Sequence, residues 1–185
     1  MTFFDYSEKI NAVEKFGIRD DEEGKIVLKQ HQAQDGSCKE DLSTPAKELP
    51  AFIDYSEEEK WNAVVISGNR EDYNFIPVDK NIPYLREEEK GVKRCDAIIW
   101  TPRTIIFIEL KDQREKWLND AILQIKATIE LFERVDDITY FKYKKAYVCN
   151  KARPYFNYQF SEIMQKFHQE TGVTLNPQKT IIGIR

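Results

Sequence analysis

Hydrophobic positions along the chain fall into a few segments, and the spacing within them predicts the helices. Residues 115–135 carry an apolar residue every three or four positions, which is typical of one buried helical stripe. A second helix is predicted at residues 160–172, which end in a glycine, and a short N-terminal helix at residues 6–16, with Gly17 as its stop. The stripe of the long helix consists of Leu118, Ile122, Ile125, Ile129 and Phe132.

Short apolar runs without helical spacing predict the strands. The predicted strands are residues 24–30, 62–67, 74–79, 95–101, 104–111, 144–150 and 180–184. The rest of the polar segment 19–60 is predicted to be loop, because Gly and Pro interrupt it. Strands that alternate with helices in this order predict an α/β fold with an antiparallel hairpin in the middle.

The most apolar stretch of the chain, RCDAIIWTPRTIIFIELKD at residues 94–112, predicts that hairpin, with its turn at residues 102–103. An antiparallel register around the turn places Asp96 directly opposite Glu109, with Cβ atoms about 5 Å apart on one face. Strand alternation places Lys111 on the same face, one step further along. The residues predicted to point to the opposite face are Ile106, Ile108 and Leu110.

Such a close pair of carboxylates favours a particular chemistry. Two acids at this distance repel each other and resist joint ionisation, and a divalent cation removes the repulsion. Mg²⁺ prefers carboxylate oxygens, backbone carbonyls and water, and a neighbouring ammonium group activates a water molecule or stabilises developing phosphate charge. These features suit metal-assisted hydrolysis of a phosphodiester. The alternative is that the acids and the lysine only flank hydrophobic strands and limit aggregation.

Asp96, the sequence Glu109-Leu110-Lys111 at the end of an apolar strand, and the amphipathic helix that follows resemble the core of the PD-(D/E)XK nuclease superfamily. The resemblance covers residues 61–150 and implies a restriction endonuclease-like core, with a mixed central sheet flanked by helices. It also implies that Asp96 and Glu109 bind Mg²⁺ or Mn²⁺, with the Leu110 carbonyl as a further ligand. Lys111 would then serve the attacking water.

The resemblance extends to positions outside the hairpin. Many members carry a Gln on the helix after the Lys, which corresponds to Gln124, and an ordinary surface Gln is the alternative. Many also carry an acid on the first helix, which corresponds to Glu14 or Glu8, and a solvated helix face is the alternative. The chain departs from the pattern at Cys95, where many members have a Pro before the Asp.

Charge is distributed unevenly along the chain, whose net charge is −4. Residues 1–60 carry 15 acids against 8 Lys and Arg, whereas residues 138–185 carry 2 against 8, so one basic face can approach a polyanion. Residues 138–161 contain no acid and interleave basic with aromatic residues, which predicts nucleic-acid contact. The alternative is a strand that sends its aromatic side chains into the core. The predicted contacts are Lys142, Lys144, Lys145, Lys151 and Arg153.

Several other classes of function find no support in the sequence. Both His residues are isolated and the glycines form no phosphate-binding loop, which argues against a histidine-based hydrolase and against ATP use. The three Cys residues are widely spaced, no apolar run is long enough for a membrane span, and the first residues do not form a secretory signal. A cytoplasmic protein without membrane contact is therefore expected.

The sequence thus predicts a Mg²⁺-dependent nuclease that acts on DNA in a restriction, repair or anti-phage setting. Residues 61–185 are predicted to form the nuclease-like core. Residues 1–60 are predicted to form an N-terminal helix and an acidic accessory region that contacts a partner or a second copy of the chain. Two alternatives stay open at this point: a non-catalytic interaction module that retains the fold, and an RNA-cutting nuclease.

Overall fold

The structure is a computed structural model that describes residues 2–26, 45, 49–68, 70, 72–83, 91–152, 160–182 and 184. In chain order, the strands are β1 (Glu8–Lys9), β2 (Lys15–Arg19), β3 (Phe52–Asp54), β4 (Ala63–Ile66), β5 (Asn74–Pro77), β6 (Ala97–Trp100), β7 (Thr104–Lys111), β8 (Tyr143–Asn150), β9 (Thr174–Asn176) and β10 (Thr180–Ile181). The helices are α1 (Trp117–Val135) and α2 (Ser161–Thr171), and residues 22–26 are also helical.

Within the described residues, the strands form two mixed sheets, so the fold is α/β as predicted. The large sheet has the order β1-β5-β6-β7-β8-β9, and the small sheet has the order β10-β4-β2-β3. In the large sheet the pairs β1–β5, β5–β6 and β6–β7 are antiparallel, whereas the pairs β7–β8 and β8–β9 are parallel. In the small sheet, β10 is parallel to β4 and the other pairs are antiparallel.

The large sheet is buried on both faces, which gives the molecule three layers. One face packs against α1, where Phe107 of β7 shares an apolar cluster with Ile125. The other face packs against the small sheet, where Ile106 and Ile108 share a second cluster with Phe16 of β2. Because successive side chains of a strand point to opposite faces, β7 contributes to both clusters and forms the centre of the fold.

The predicted hairpin is confirmed, together with its register. Ala97 of β6 pairs with Ile108 of β7. One further step along the same register places Asp96 opposite Glu109. The alternation of side chains also agrees with the prediction, and the residues that face the small sheet are Ile106, Ile108 and Leu110.

The two predicted helices of the second half of the chain are confirmed. α1 and α2 lie within the predicted ranges 115–135 and 160–172. α2 ends at Gly172, which has φ 67° and donates its N–H to the His168 carbonyl at 2.8 Å. A left-handed residue at this position is a common way to end a helix and suits glycine. β4, β5, β8 and β10 also fall in predicted strands or start within one residue of them.

The predicted helix over residues 6–16 is wrong. These residues include β1 and the start of β2, and their backbone pairs with distant parts of the chain; the Ile10 N–H, for instance, donates to the Tyr73 carbonyl at 3.1 Å. Gly17, expected to end that helix, lies inside β2, where an added Cβ would come within 2.0 Å of the Trp61 ring. Long-range strand pairing therefore overrides the local helical spacing.

The predicted strand over residues 24–30 is also wrong in its described part. Residues 24–26 belong to a helical segment that starts at residue 22, and residues 27–30 lie outside the described residues. The segment starts directly after Asp21, whose Oδ1 accepts a hydrogen bond from the Gly24 N–H at 2.8 Å. An aspartate that accepts from the third helical N–H is a favoured N-cap, and this local bond competes with a strand.

The N-terminal region shares its sheets with the rest of the chain. β1 pairs with β5 in the large sheet, and β2 pairs with β4 in the small sheet. Phe3 belongs to the cluster beneath α1. The described residues before position 61 are therefore packed into the same core as those after it. In the described ranges, neither α1 nor α2 combines the length and apolar composition that crossing a membrane requires.

Candidate active site

Asp96 and Glu109 lie side by side at one end of the hairpin. Asp96 directly precedes β6, and its Oδ2 accepts a hydrogen bond from the Leu110 backbone N–H at 2.6 Å. Asp96 is two residues from Ile98, and Glu109 is two residues from Phe107, and both of these apolar residues lie in the cluster beneath α1. Strand alternation thus places both carboxylates on the helix side of the large sheet.

Glu109 is almost completely buried, with 1% of its surface exposed. Its Oε1 forms an ion pair with the Lys111 Nζ at 2.5 Å. Its Oε2 is buried and has no hydrogen-bond partner among the residues that the structure describes. Lys111 itself is 14% exposed, so the amine lies between the buried carboxylate and solvent. The predicted trio of Asp96, Glu109 and Lys111 is therefore assembled in one place.

The environment of both acids disfavours their charged forms. Burial raises the pKa of Asp96 to about 7, and the charge of Asp20 adds to the rise, whereas the hydrogen bond from the Leu110 N–H opposes it. Burial raises the pKa of Glu109 well above its ordinary value, and the charge of Asp96 adds to the rise, whereas Lys111 opposes it. Each acid thus makes ionisation of the other more costly, as two close carboxylates do.

Two further acids act on this pair, and the sequence analysis missed both. Asp20 directly follows β2, and its charge raises the pKa of Asp96. Asp79 lies just beyond β5, and its charge raises the pKa of both Asp96 and Glu109. Asp20 is itself paired with the buried Lys25. The available sequence signal is an acid just after an apolar run, but before Asp20 that run is short and begins at Phe16, the last residue of the predicted helix.

The backbone beside Asp96 is held by α1. The Cys95 N–H donates to the Thr128 Oγ1 at 2.8 Å, and the Thr128 hydroxyl donates to the Gln124 carbonyl at 2.9 Å. Gln124 therefore lies one helical turn from the residue that contacts the Asp96 segment, and it is half-buried. Glu14 and Glu8, the alternative acids of the resemblance, are exposed and lie in non-helical backbone.

The end of β8 holds the segment that follows Lys111. The Lys151 N–H donates to the Lys111 carbonyl at 2.8 Å. The buried Asn150 side chain donates to the Gln113 carbonyl at 2.7 Å and accepts from the Gln113 N–H at 3.3 Å. Asn150 was also missed, since a single Asn at a strand end has no distinctive sequence pattern. It ties the loop after β7 to β8 and so restrains the backbone of Lys111.

The predicted nucleic-acid contacts do not form one patch. Lys142, Lys144 and Lys145 lie at the start of β8, whereas Lys151 lies just beyond its end, where its Nζ donates to the Lys60 carbonyl at 3.4 Å. At a rise of about 3.3 Å per residue, these three lysines lie about 20–30 Å from Lys151 along the strand. Alternation also places Lys144 and Lys145 on opposite faces of the sheet. Arg153 lies outside the described residues.

Two carboxylates and a backbone carbonyl are the metal ligands that this site offers. In a β-strand the N–H and C=O of one residue point to the same side, so the Leu110 carbonyl lies on the side from which its N–H donates to Asp96. No group of three or more His, Cys, Asp or Glu side chains in the described ranges is arranged to hold a metal ion. Carboxylate and carbonyl oxygens are the donors that Mg²⁺, which retains several water ligands, generally prefers, whereas Zn²⁺ favours nitrogen and sulfur donors.

No protein-family model, curated protein or solved structure matches the chain. The geometry and chemistry described above must therefore carry any functional argument. Two features of the site point to a function. They are the buried carboxylate pair with its lysine and the Glu109 oxygen that lacks a partner in the described part of the chain.

Proposed function

We propose that the protein is a metal-dependent nuclease of the PD-(D/E)XK type, with a restriction endonuclease-like core, which hydrolyses phosphodiester bonds in DNA. The observation that carries the proposal is the buried Oε2 of Glu109, which has no partner among the described residues and lies beside a second buried acid, Asp96. A buried acceptor without a partner costs about 1–3 kcal/mol. A bound cation would remove that cost and the repulsion between the acids.

The proposed ligands of the cation are Asp96, Glu109 and the carbonyl of Leu110. Mg²⁺ or Mn²⁺ supplies a Lewis acid at this position, which polarises a phosphoryl oxygen and lowers the pKa of bound water. Because the pKa of Asp96 is raised to about 7, this carboxyl is partly protonated at neutral pH without a cation. Binding of the cation is therefore expected to release protons.

Lys111 is proposed to orient the attacking water. Its ammonium group is paired with the Oε1 of Glu109, which restricts the long side chain to one region of the site. The group is also partly exposed, so it can reach a substrate that approaches from solvent. A fixed cation at this point orients a water molecule and stabilises the charge that develops on phosphate.

DNA is proposed to approach the end of the large sheet where the carboxylates lie. Lys151 is at this end and carries a positive charge that the backbone phosphates attract. Lys142, Lys144 and Lys145 lie about 20–30 Å away along β8, which is less than one turn of a duplex. Their contacts would add affinity without touching the reacting phosphate. Gln124, on the neighbouring turn of α1, is proposed as a further residue at the edge of the site.

The test is cleavage of plasmid DNA, linear DNA and RNA with Mg²⁺, with Mn²⁺ and with EDTA. We expect cation-dependent cleavage of DNA by the wild type and none by Glu109→Gln. The matched control is Glu14→Gln, which removes an exposed acid and should cleave as the wild type does. If the protein cleaves RNA and leaves DNA intact, its substrate is RNA. If the wild type binds neither ion and cuts no substrate, the nuclease proposal fails and a non-catalytic interaction module takes its place.

A further inference from the structure

We propose that Thr128 is a positioning residue that opens the β6–β7 ladder at the carboxylate pair and so creates the backbone part of the metal site. The inference rests on the proposed function, because it concerns how the same site holds its cation. It is drawn from the hydrogen bonds of Thr128 and of the residues next to Asp96 and Glu109, which follow a pattern that a regular hairpin would not have.

The register of the hairpin defines what a regular ladder would do here. Residues opposite each other in an antiparallel pair alternate between those that exchange two hydrogen bonds and those that exchange none. Thr101 and Thr104 exchange two, at 2.9 and 3.4 Å. Hydrogen-bonded pairs recur every two residues along each strand, so Cys95 and Leu110 should also exchange two hydrogen bonds.

Both N–H groups of this pair bond elsewhere. The Cys95 N–H donates to the Thr128 Oγ1 at 2.8 Å, and the Leu110 N–H donates to the Asp96 Oδ2 at 2.6 Å. The ladder therefore ends one step before it would reach Cys95 and Leu110. The Leu110 carbonyl does not receive the hydrogen bond that the Cys95 N–H would otherwise donate to it.

This diversion supplies a metal ligand. The Leu110 carbonyl and the Asp96 carboxylate lie on the same edge of β7, since a residue in a strand directs its N–H and C=O to one side. A closed ladder would commit that carbonyl to Cys95, and a ladder without the Asp96 contact would leave the carboxylate unrestrained. Thr128, which never touches the cation, thus determines whether the carbonyl is available to it.

The hydroxyl group of Thr128 is itself held in place. It donates its hydrogen to the Gln124 carbonyl, one turn earlier in α1, at 2.9 Å. Its oxygen can then act as an acceptor toward Cys95, and Thr128 is fully buried, so water does not compete. The hydroxyl, and not the size of the side chain, is the part that the inference requires.

The chain contains a second threonine with the same local pattern, far from the carboxylates in sequence. The Thr171 hydroxyl donates to the Phe167 carbonyl at 2.8 Å and accepts from the Val173 N–H at 3.2 Å, at the end of α2. Thr171→Val therefore removes the same hydrogen bonds as Thr128→Val. Thr171 is half-buried, whereas Thr128 is fully buried, so the variant controls for the loss of this hydrogen-bond pattern.

The experiment measures Mg²⁺ and Mn²⁺ binding by calorimetry, together with the ion concentration needed for half-maximal cleavage of plasmid DNA. Thr128→Val should weaken ion binding about 10- to 100-fold, the usual effect of losing a group that orients a ligand. The half-maximal ion concentration should rise in parallel, while cleavage at saturating ion stays close to the wild-type rate. Thr128→Ser should restore both values, and Thr171→Val should leave both unchanged. Thr128→Ala replaces Thr128→Val if that variant does not fold, as judged by circular dichroism.

The outcomes separate the inference from the proposed function. Wild-type ion affinity in Thr128→Val would overturn the inference while leaving the nuclease proposal intact. Equal losses in Thr128→Ser and Thr128→Val, or in Thr171→Val, would also overturn it, because packing or general stability would then explain the effect. If the wild type binds the ion but cuts nothing, the nuclease proposal fails and the binding data still decide on Thr128. If the wild type binds neither ion, both are overturned.

Discussion

Two regions of this molecule bury carboxylates, and they differ in how fully the acids are paired with cations. At the end of β2, Arg19 is 2% exposed and pairs with three acids, at 2.7 Å to Asp21, 3.0 Å to Asp54 and 2.6 Å to Glu57. At the end of the β6–β7 hairpin, Asp96 and Glu109 are 8% and 1% exposed, and the one ion pair between them and a cation joins Glu109 to Lys111 within the described residues. The first region compensates the charge of its acids, and the second does not.

The pKa directions follow this difference. Burial alone would raise the pKa of Asp54, but hydrogen bonds from the Ser56 N–H and from Arg19 outweigh it, and the pKa lies below its ordinary value. Burial also raises the pKa of Asp96, and here the neighbouring charges reinforce the rise. Acids with a full set of partners stabilise the fold, whereas acids that lack them are typical of functional sites. The pKa directions therefore support a structural role for the Arg19 cluster and the catalytic role proposed for Asp96 and Glu109.

The largest expected effect is on activity. Asp96→Asn and Glu109→Gln should abolish cleavage and ion binding, because each removes a proposed ligand. The metal-free proteins should be as stable as the wild type or more so, since a repelling pair has been neutralised. Calorimetry with Mg²⁺ and urea unfolding without it measure both. Asp54→Asn provides the contrast: it should bind the ion when folded and lose stability. If Asp54→Asn behaves like Asp96→Asn and Glu109→Gln, the contrast between the two regions is wrong.

Lys111→Ala should lose cleavage for a different reason. Removing a group that acts on the attacking water costs about 10²- to 10⁴-fold in rate. Ion binding should be unchanged or tighter, because a positive charge next to the ligands has gone. Single-turnover cleavage and calorimetry on the same preparation check this pattern. Loss of activity through unfolding alone would mean that the lysine is structural.

Arg19→Met should lower the free energy of unfolding by about 3–5 kcal/mol, since it leaves a buried acid without its cation. Urea titration monitored by fluorescence gives the value. The control is Arg70→Met, which breaks the exposed pair with Asp72, whose side chains are 39% and 42% exposed. Exposed pairs contribute about 0–1 kcal/mol, so the control should be nearly neutral. Equal effects of the two variants would remove the structural role given to the Arg19 cluster.

The smallest effect is on the pH dependence of stability without a divalent ion. The folded protein retains the Asp96 proton up to about pH 7, whereas the unfolded chain releases it near the ordinary aspartate pKa of 3.8. The folded state then binds more protons between these values, so this group makes stability fall as pH rises from about 4 to 7. Asp21 and Asp54 have lowered pKa values, and their contribution is lost only as pH falls below about 4.

Urea unfolding from about pH 2 to about pH 8, in EDTA, measures this dependence. Asp96→Asn should reduce the fall toward pH 7, to which Glu109 also contributes because its pKa is raised as well, and should leave the loss at acidic pH unchanged. Addition of Mg²⁺ should reverse the sign of the slope, because ion binding favours the ionised carboxylates. A fall toward pH 7 that persists unchanged in Asp96→Asn would show that another group is responsible.

The hairpin and the acid pair on it could be predicted from the sequence because their determinants are local. Apolar alternation sets the faces of each strand, and a short turn sets the register, so the position of Asp96 relative to Glu109 follows from counting. The helices α1 and α2 follow equally from periodicity and from a glycine at the end of α2. The same local rules failed at residues 6–16, where two apolar residues at helical spacing are too few to outweigh strand pairing.

Only the tertiary structure determined which groups surround the acid pair. β2 and β3 belong to the small sheet through pairings with residues tens of positions away, and such pairings depend on packing that no local pattern encodes. That packing brings Asp20 toward Asp96 and seats Trp61 against Gly17. The contact between Thr128 and Cys95 likewise joins a helix to a strand 33 residues earlier. Burial, which raises the pKa of both acids, is a property of the assembled layers, because a carboxylate loses its water only when the surrounding elements exclude it.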